Sequence, residues 1–206
     1  HFYAWLAQVM TIFVAITIVR EFSKGARARS LGTGENFVEA VVNLTLRNTR
    51  RYGGYIVHFA FVLLFIGWSG QAFTTDTSSE MAVGDTLSIR EYTLRMEKLG
   101  IEDTANYSSD KATVGLFEYG TKIRNMYPER RVYKAGSEPQ PTSEVAIYST
   151  LKNDLYVVFA GATRDGKRAI IQVFYNPLTK WVWMGGVLLV IGTLIALLPN
   201  KKTPIR

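Results

Sequence analysis

The sequence contains no cysteine among its 206 residues, and it contains only two histidines. Without thiols the chain cannot form a disulfide framework, a thiolate zinc site, an iron–sulfur site or a Cys-x-x-Cys-His haem attachment site. A cysteine nucleophile is excluded for the same reason. Of the two histidines, His1 stands at the start of the chain and needs no functional explanation, which leaves His58 as the histidine to examine.

An initiator methionine is also missing, as are the charged start and cleavage site of a signal peptide. We therefore expect a processed product or a segment of a larger protein. The length allows one domain or two small ones. Hydrophobic residues make up 48% of the chain but gather in three places, with the charges elsewhere, so a single soluble globule is not expected.

Three uncharged runs are long enough, at 18 residues or more, to cross the hydrocarbon core of a bilayer. These runs are Phe2–Val19, Tyr52–Phe73 and Trp181–Leu198. A buried helix of a soluble protein could explain one of them, but three together predict an integral membrane α-helical protein. We place its transmembrane helices at residues 1–19, 52–73 and 178–198.

The charges between these runs predict the orientation. Residues 20–51 carry seven basic and three acidic side chains, whereas residues 74–177 carry 13 basic and 14 acidic ones. Short basic loops stay in the cytoplasm, so residues 20–51 and the tail 199–206 are expected inside and residues 74–177 outside. The net charge of +7 thus reflects topology. Nucleic-acid binding is not expected, because it would need a basic face interleaved with aromatics on a soluble domain.

Within the basic loop, residues 36–48 have the pattern of an amphipathic helix. Apolar residues at positions 37, 38, 41, 42 and 44 fall on one broad face. Such a helix is typical of segments that lie in the plane of the membrane interface. We therefore expect an interfacial helix on the inner membrane surface.

Residues 74–177 have the pattern of an antiparallel all-β insert. Glu91–Glu97 alternates polar and apolar residues, as a half-buried strand does. Leu116–Ile123 is interpreted as two short strands around Gly120, and Leu155–Tyr175 as a hairpin with an Asp-Gly turn. About six strands in some hundred residues predict a small closed barrel or a sandwich on the extracytoplasmic face.

His58 lies within the second run, seven residues after Arg51, which is roughly 10 Å inside the hydrocarbon at 1.5 Å per residue. An imidazole at that depth is either hydrogen-bonded to a neighbouring helix or part of a functional site. Gly54 lies one turn earlier on the same helix face, and Phe61 and Phe65 continue that face. A missing side chain beside an axial imidazole would let a flat macrocycle approach the backbone.

Two arginines, Arg50 and Arg51, lie at the membrane edge. They could pair with carboxylates of such a macrocycle, although topology alone also explains them. His58 could hold haem iron from one side, but a six-coordinate b-type haem needs a second ligand, and this chain offers no other histidine within its three runs. A zinc site needs three or four protein ligands, and nothing suitable flanks His58, which also argues against a Ser/His/Asp site.

Four stretches of the sequence together resemble a known protein family. They are Arg50–His58 (RRYGGYIVH), Pro128–Tyr133 (PERRVY), Ser143–Ile147 leading into Asn153–Val157, and Asn176–Leu178 before the last run. Together they span most of the chain, and their combination resembles CcmF-type cytochrome c maturation proteins, the membrane haem lyase family.

The resemblance implies a role in attaching haem covalently to apocytochrome c at the outer face of the bacterial inner membrane. It implies that His58 is one axial ligand to the iron of an intramembrane haem b. Arg51, from its place at the membrane edge, is a candidate haem contact. The second ligand would belong to an upstream part of the same protein, so this portion would not be catalytic alone. The implied partners are that upstream part, a haem chaperone, apocytochrome c with its thiol-handling chaperone, quinol and the lipid bilayer.

On this interpretation the periplasmic β-domain, residues 74–177, is a docking platform that does not itself bind haem. It has no histidine, and Met81, Met96 and Met126 are explained as packing residues. Arg130 and Arg131 either form a docking patch or are paired internally. The alternative function for the whole chain is a non-catalytic, membrane-anchored interaction scaffold. A transporter portion is disfavoured because the runs contain no acidic or basic residue for ion coupling.

Overall fold

The computed structural model describes residues 2–134 and 141–201. These residues form two compact units, a helical unit from residues 1–72 and 178–206 and a β unit from residues 73–177. His1, the end of the tail and residues 135–140 lie outside the described residues. The helices are α1 (Phe2–Thr33), α2 (Phe37–Arg47), α3 (Thr49–Ser69), which continues as a 3-10 turn at Gly70–Phe73, and α4 (Thr179–Leu197).

Three of these helices, α1, α3 with its 3-10 turn, and α4, are long and apolar enough to cross a membrane. The prediction of three transmembrane helices is confirmed, and the chain is an integral membrane protein. The structure differs in the length of α1, which continues well beyond residue 19 to Thr33. Residues 20–33 include three arginines, one lysine and two alanines, which favour helix, and α1 ends where Gly34 takes a φ of +73°.

Helix α2 occupies the segment in which the amphipathic pattern predicts one. Its start is fixed by a capping box, in which the Glu39 N–H donates to the Asn36 side chain at 2.9 Å and the Asn36 N–H donates to the Glu39 carboxylate at 3.3 Å. This arrangement satisfies two N–H groups that a helix start leaves without partners. Val38 and Val42 are exposed on α2, as expected for a helix with an apolar face.

Helices α3 and α4 pack with their backbones almost in contact. A Cβ added at Gly53 would lie 2.7 Å from the backbone nitrogen of Ala196, and one at Gly185 would lie 3.0 Å from the carbonyl oxygen of Ala60. Small residues allow this close approach in membrane helix pairs. The α3–α4 pair is therefore built around its glycines.

Hydrogen bonds fix the relative direction of the helices. The Thr49 hydroxyl, at the start of α3, donates to the Leu198 carbonyl just beyond the end of α4 at 2.6 Å. The Gln8 side chain, near the start of α1, donates to the Ser69 hydroxyl at the end of α3 at 2.5 Å. Both α1 and α4 thus run antiparallel to α3, as alternating membrane crossings require.

The β unit contains ten strands among the described residues. The strands are β1 (Thr75–Met81), β2 (Thr86–Ile89), β3 (Tyr92–Asp103), β4 (Tyr107–Glu118), β5 (Thr121–Met126), β6 (Glu129–Tyr133), β7 (Pro141–Glu144), β8 (Ala146–Ser149), β9 (Asn153–Ala162) and β10 (Ala169–Pro177). One sheet has the order β1-β10-β9-β8 and the other β2-β3-β4-β6-β7, with β5 also pairing with β4.

All strand pairs are antiparallel, which confirms the antiparallel all-β insert. Two separate sheets correspond to the sandwich of the two predicted alternatives. The count of about six strands was wrong, because β2, β7 and β8 have only four residues each and are too short to show an alternating pattern. The strands β4 and β5 around Gly120 and the hairpin of β9 and β10 form as predicted.

The core of the β unit lies between its two sheets. Leu94 and Leu116 from one sheet and Val157 and Ile171 from the other have no exposed surface. The alternating pattern of β3 is confirmed, because its positions 92, 94 and 96 are buried. The three methionines predicted to serve packing are all in this core: Met81, Met96 and Met126.

Candidate cofactor site at His58

His58 lies on an exposed stripe of α3. His58, Phe61, Phe65 and Trp68 are exposed at intervals of three and four residues, which places them along one side of the helix. Between them, Val62 and Leu63 are buried. Helix α3 thus has one face that packs against the protein and another, exposed face that carries the imidazole and large apolar side chains.

The orientation of the His58 ring is set within its own helix. Its Nδ1 lies 2.7 Å from the carbonyl oxygen of Gly54, and a carbonyl only accepts hydrogen bonds, so Nδ1 carries the proton. The other ring nitrogen, Nε2, then keeps its lone pair and has no hydrogen-bond partner among the described residues. Metal-bound histidines commonly use this arrangement, in which one ring nitrogen donates a hydrogen bond to the protein and the other binds the metal.

A cavity of about 380 Å³ opens beside His58, within the size range of small-molecule and cofactor sites. Helix α3 contributes one wall and helix α1 the other. The lining residues are Ala7, Met10, Thr11 and Val14 from α1 and His58, Phe61, Val62 and Phe65 from α3. The Thr11 hydroxyl donates to the Ala7 carbonyl at 2.6 Å, so the Nε2 lone pair is the main polar feature left in an apolar cavity.

Gly54 has open space where a side chain would stand. A Cβ built at Gly54 meets no atom within 4 Å, whereas one built at the adjacent Gly53 collides with helix α4. Gly54 does not line the cavity itself, but its carbonyl anchors His58. The predicted absence of bulk next to the imidazole is therefore present in the structure.

Arg51 is held away from the cavity at the start of α3. Its guanidinium donates to Glu21 of α1 and to the Tyr55 hydroxyl, both at 3.3 Å, and it lies 5.8 Å from the centre of the Tyr52 ring. The structure does not bring Arg51 into the wall around His58. Its exposed side chain, 60% accessible, would have to leave these partners to contact a bound group.

The donor set fits a haem better than a bare metal ion. One imidazole with a free lone pair, apolar walls and open space at Gly54 match the axial side of a haem site. Among the described residues there is no group of three or more histidine and carboxylate side chains that could hold a metal ion, as zinc would require.

The two arginines of the predicted docking patch, Arg130 and Arg131, have different environments. Arg131 pairs with Glu129 and, at 3.3 Å, with Glu144, and its guanidinium lies 4.8 Å from the centre of the Tyr107 ring. Arg131 is therefore an internally paired residue. Arg130, the residue before it in β6, is half-buried and has no ion pair among the described residues, so of the two arginines it is the one available to a partner.

A polar cluster within the β unit was not predicted from the sequence. The Tyr92 hydroxyl donates to the Asn153 side-chain oxygen at 3.1 Å, and the Asn153 amide donates to the Tyr175 hydroxyl at 3.1 Å and to Glu91 at 3.3 Å. Burial raises the pKa of Tyr92 to about 12, an effect that the bond to Asn153 partly opposes. The stretch containing Asn153 was among those that carry the family resemblance, which was the available signal.

The contribution of α1 to the cavity was also missed. Met10, Thr11 and Val14 recur at helical spacing and so share one side of α1. That spacing is present in the sequence, but nothing in it specifies that this side faces His58.

The fold is that of an integral membrane protein that carries an antiparallel β-sandwich between its last two described transmembrane helices. A family model described as the CcmF C-terminal beta-sandwich matches residues 72–177, just over half of the chain. The chain belongs to the CcmF family, as the resemblance in its sequence indicated.

Several relatives are similar over most of this chain. It is 24% identical to the cytochrome c-type biogenesis protein CcmF of Haemophilus influenzae over 95% of its length, and 28% identical to CcmF of Pseudomonas aeruginosa over 77%. It is 30% identical to the probable cytochrome c-type biogenesis protein NrfE of Escherichia coli over 71%. These alignments cover 29%, 25% and 26% of the relatives, so the chain spans less than a third of their length.

A solved structure of the cytochrome c heme lyase CcmF has the same fold. It superposes with a TM-score of 0.63 at 18% identity and covers 90% of this chain and 34% of that one. At this identity the likeness concerns the fold alone.

Proposed function

We propose that this chain is the carboxy-terminal portion of a membrane haem lyase that attaches haem covalently to apocytochrome c. In this proposal the chain supplies His58 as one axial ligand of an intramembrane haem b. The relatives named for cytochrome c biogenesis are more than three times as long as the aligned chain. We therefore assign to this portion cofactor binding and not catalysis by itself.

The observation that carries the proposal is the state of the His58 ring. Its Nδ1 donates to the Gly54 carbonyl at 2.7 Å. Its Nε2 has no hydrogen-bond partner among the described residues, and His58 borders an apolar cavity. An imidazole without a partner is costly within the bilayer. A ligand that accepts the Nε2 lone pair would remove that cost.

The neighbouring side chains suit a flat, mainly apolar ligand. Phe61 and Phe65 can pack on its surface, Gly54 leaves its edge free, and Met10 and Val14 of α1 close the opposite wall. A bound haem would supply an iron centre that carries single electrons within the membrane, with quinol as the proposed reductant. The second axial ligand is proposed to come from an upstream part of the protein.

The proposed topology follows the distribution of charge. We place the basic part of α1 that begins at residue 20, and the segment that follows α4, in the cytoplasm of a bacterium and the β unit in the periplasm, because basic segments remain inside. Helix α2 would lie on the inner membrane surface. The partners in this arrangement are apocytochrome c with its thiol-handling chaperone and a haem chaperone.

The test is the reduced-minus-oxidised visible spectrum of the complete membrane protein that contains this chain. We expect a b-type band that is lost or converted to a five-coordinate form in His58→Ala. In His58→Gly, added imidazole should restore it, because the small side chain leaves space for the free ligand. Thr193→Ala, which removes an exposed hydroxyl from α4, is the control and should keep the band.

Two outcomes would contradict the proposal in different ways. A normal band in His58→Ala would reject His58 as a ligand. The absence of any band in the wild-type protein would favour the interaction scaffold, in which the helices only anchor the β unit.

A further inference from the structure

Helix α1 has a cationic face just beyond its apolar segment. Arg20, Lys24 and Arg27 are exposed at intervals of four and three residues, and within the described part of the chain none of them forms an ion pair or a hydrogen bond. They line an open groove of about 670 Å³ together with the hydroxyl-bearing Thr17 and Ser23. The Thr17 hydroxyl donates to the Phe13 carbonyl at 2.9 Å, so the three cations and the Ser23 hydroxyl are the groups that make this a surface for an anion.

The nearest carboxylate does not neutralise this face. Glu21 also borders the groove, but it accepts from Arg51 of α3 at 3.3 Å. The same contact places residue 21 of α1 beside the start of α3, where the apolar part of α3 begins. The cationic face therefore lies at the depth at which the membrane-crossing segments end.

An apolar cavity of about 410 Å³ adjoins this face. It is lined mainly by aromatic and branched side chains: Ile18 and Phe22 of α1, Phe37 and Val41 of α2, and Ile56 and Phe59 of α3. Val19 and Ser23 border both the cavity and the cationic groove. A single ligand could thus reach the two surfaces, with a charged part on one and a hydrocarbon part on the other.

We propose that α1, α2 and α3 form a binding site for one anionic phospholipid. Its headgroup phosphate would lie on Arg20, Lys24 and Arg27, and one acyl chain would enter the cavity lined by Phe22, Phe37 and Phe59. Basic side chains at a membrane surface attract anionic lipids, and the unopposed positive charge selects a lipid with a net negative charge over a zwitterionic one. This site is separate from the one at His58 and does not depend on haem.

The test measures lipid retention by the complete protein in detergent, with native mass spectrometry after addition of phosphatidylglycerol or phosphatidylcholine of identical acyl chains. The wild-type protein should retain phosphatidylglycerol in preference to phosphatidylcholine. Each basic residue replaced by glutamine should weaken this preference roughly fivefold. The triple variant Arg20→Gln, Lys24→Gln, Arg27→Gln should show no preference, and Lys24→Gln alone gives a measurable change if the triple variant does not accumulate.

A matched control removes the same charge from the β unit through Lys98→Gln, Lys152→Gln and Arg164→Gln, and should keep the preference. Glycerol 3-phosphate, which has the phosphate without acyl chains, should not displace phosphatidylglycerol at equal concentration. Equal retention of the two lipids by the wild-type protein would overturn the proposal. So would unchanged preference in the α1 variants, or displacement by glycerol 3-phosphate, which would indicate a simple anion site.

Discussion

The Nδ1 atom of His58 and the carbonyl oxygen of Gly54 are 2.7 Å apart, and this single contact determines what the imidazole can do. Because the carbonyl must accept, the ring is held as the tautomer whose Nε2 bears a lone pair. Gly54 thus contributes twice to the candidate site. Its backbone orients the ligand nitrogen, and its missing side chain leaves space beside it.

Substitution of Gly54 by leucine should block haem binding without harming the fold. The space at Gly54 is open to 4 Å, so the new side chain fits without moving the backbone but occupies the approach to His58. We expect an unchanged thermal unfolding temperature in detergent and a reduced b-type band per protein.

The matched variant is Gly53→Leu, one residue earlier. Its side chain would collide with the backbone of Ala196, 2.7 Å from the position of a Cβ, so we expect a lower unfolding temperature. A Gly54→Leu protein that binds haem with normal stoichiometry would show that the open space has no role.

Charge reversal should separate the functions of Arg130 and Arg131. Arg130→Glu should leave the β unit folded and impair cytochrome c maturation, because Arg130 has no internal partner among the described residues. Arg131→Glu should lower the unfolding temperature, because it places a negative charge against Glu129 and Glu144. Maturation assays at equal protein level and thermal unfolding measure the two effects.

The control for Arg130→Glu is Arg95→Glu, which reverses an exposed charge elsewhere on the same sheet. It should leave maturation intact. If Arg130→Glu also matures cytochrome c at the normal rate, Arg130 is not a docking residue.

The phenol of Tyr92 should lose its proton at a higher pH than that of an ordinary tyrosine. Burial raises its pKa to about 12 from the ordinary value of 10.0, so the neutral phenol contributes stability that is fully present below pH 10 and is lost as the pH rises toward 12. The difference between the ultraviolet titrations of wild type and Tyr92→Phe isolates this group. A midpoint near 10 in that difference would contradict the burial of the Tyr92 phenol.

Acid should loosen the connection between α1 and α2. Hydrogen bonds from Arg29, at 2.6 Å, hold the pKa of Glu35 below its ordinary value of 4.5. A carboxyl with a lowered pKa contributes stability that is present above the ordinary value and is lost as the pH falls through the folded-state pKa.

The measurement compares the unfolding temperatures of wild type and Glu35→Gln from pH 7 downward. The wild-type protein should be the more stable at pH 7, and the gap should close as the pH falls below about 4.5. A gap that stays constant with pH would mean that the charge of Glu35 does not matter.

Much of the architecture could be predicted from the sequence because it depends on local properties. The length of an uncharged run decides whether a helix can cross a bilayer, and that rule located α3 and α4 to within a few residues. Strict alternation located β3, and the Asp-Gly turn located the hairpin of β9 and β10. The depth of His58 in the membrane, inferred from its distance along the chain to Arg51, stays a prediction.

Where local signals are weak, the sequence was less informative. The strands β7 and β8 have four residues each, and they exist because neighbouring strands pair with them. The sequence did not separate Arg131 from Arg130. In the strand β6, Arg131 lies on the same face as Glu129, and the pairing with β7 places Glu144 opposite Glu129 on that face, within reach of Arg131.

The sequence by itself determined that this chain has three runs long and apolar enough to cross a membrane, an antiparallel β insert, and a histidine within the second of these runs. Only the tertiary structure decided that α1 forms the second wall of the cavity at His58, and that Gly53 and Gly54 have opposite environments. The physical reason is that two identical neighbouring residues point about 100° apart around a helix. Which of them meets another backbone depends on where α4 packs, and long-range packing has no signature in the residues themselves.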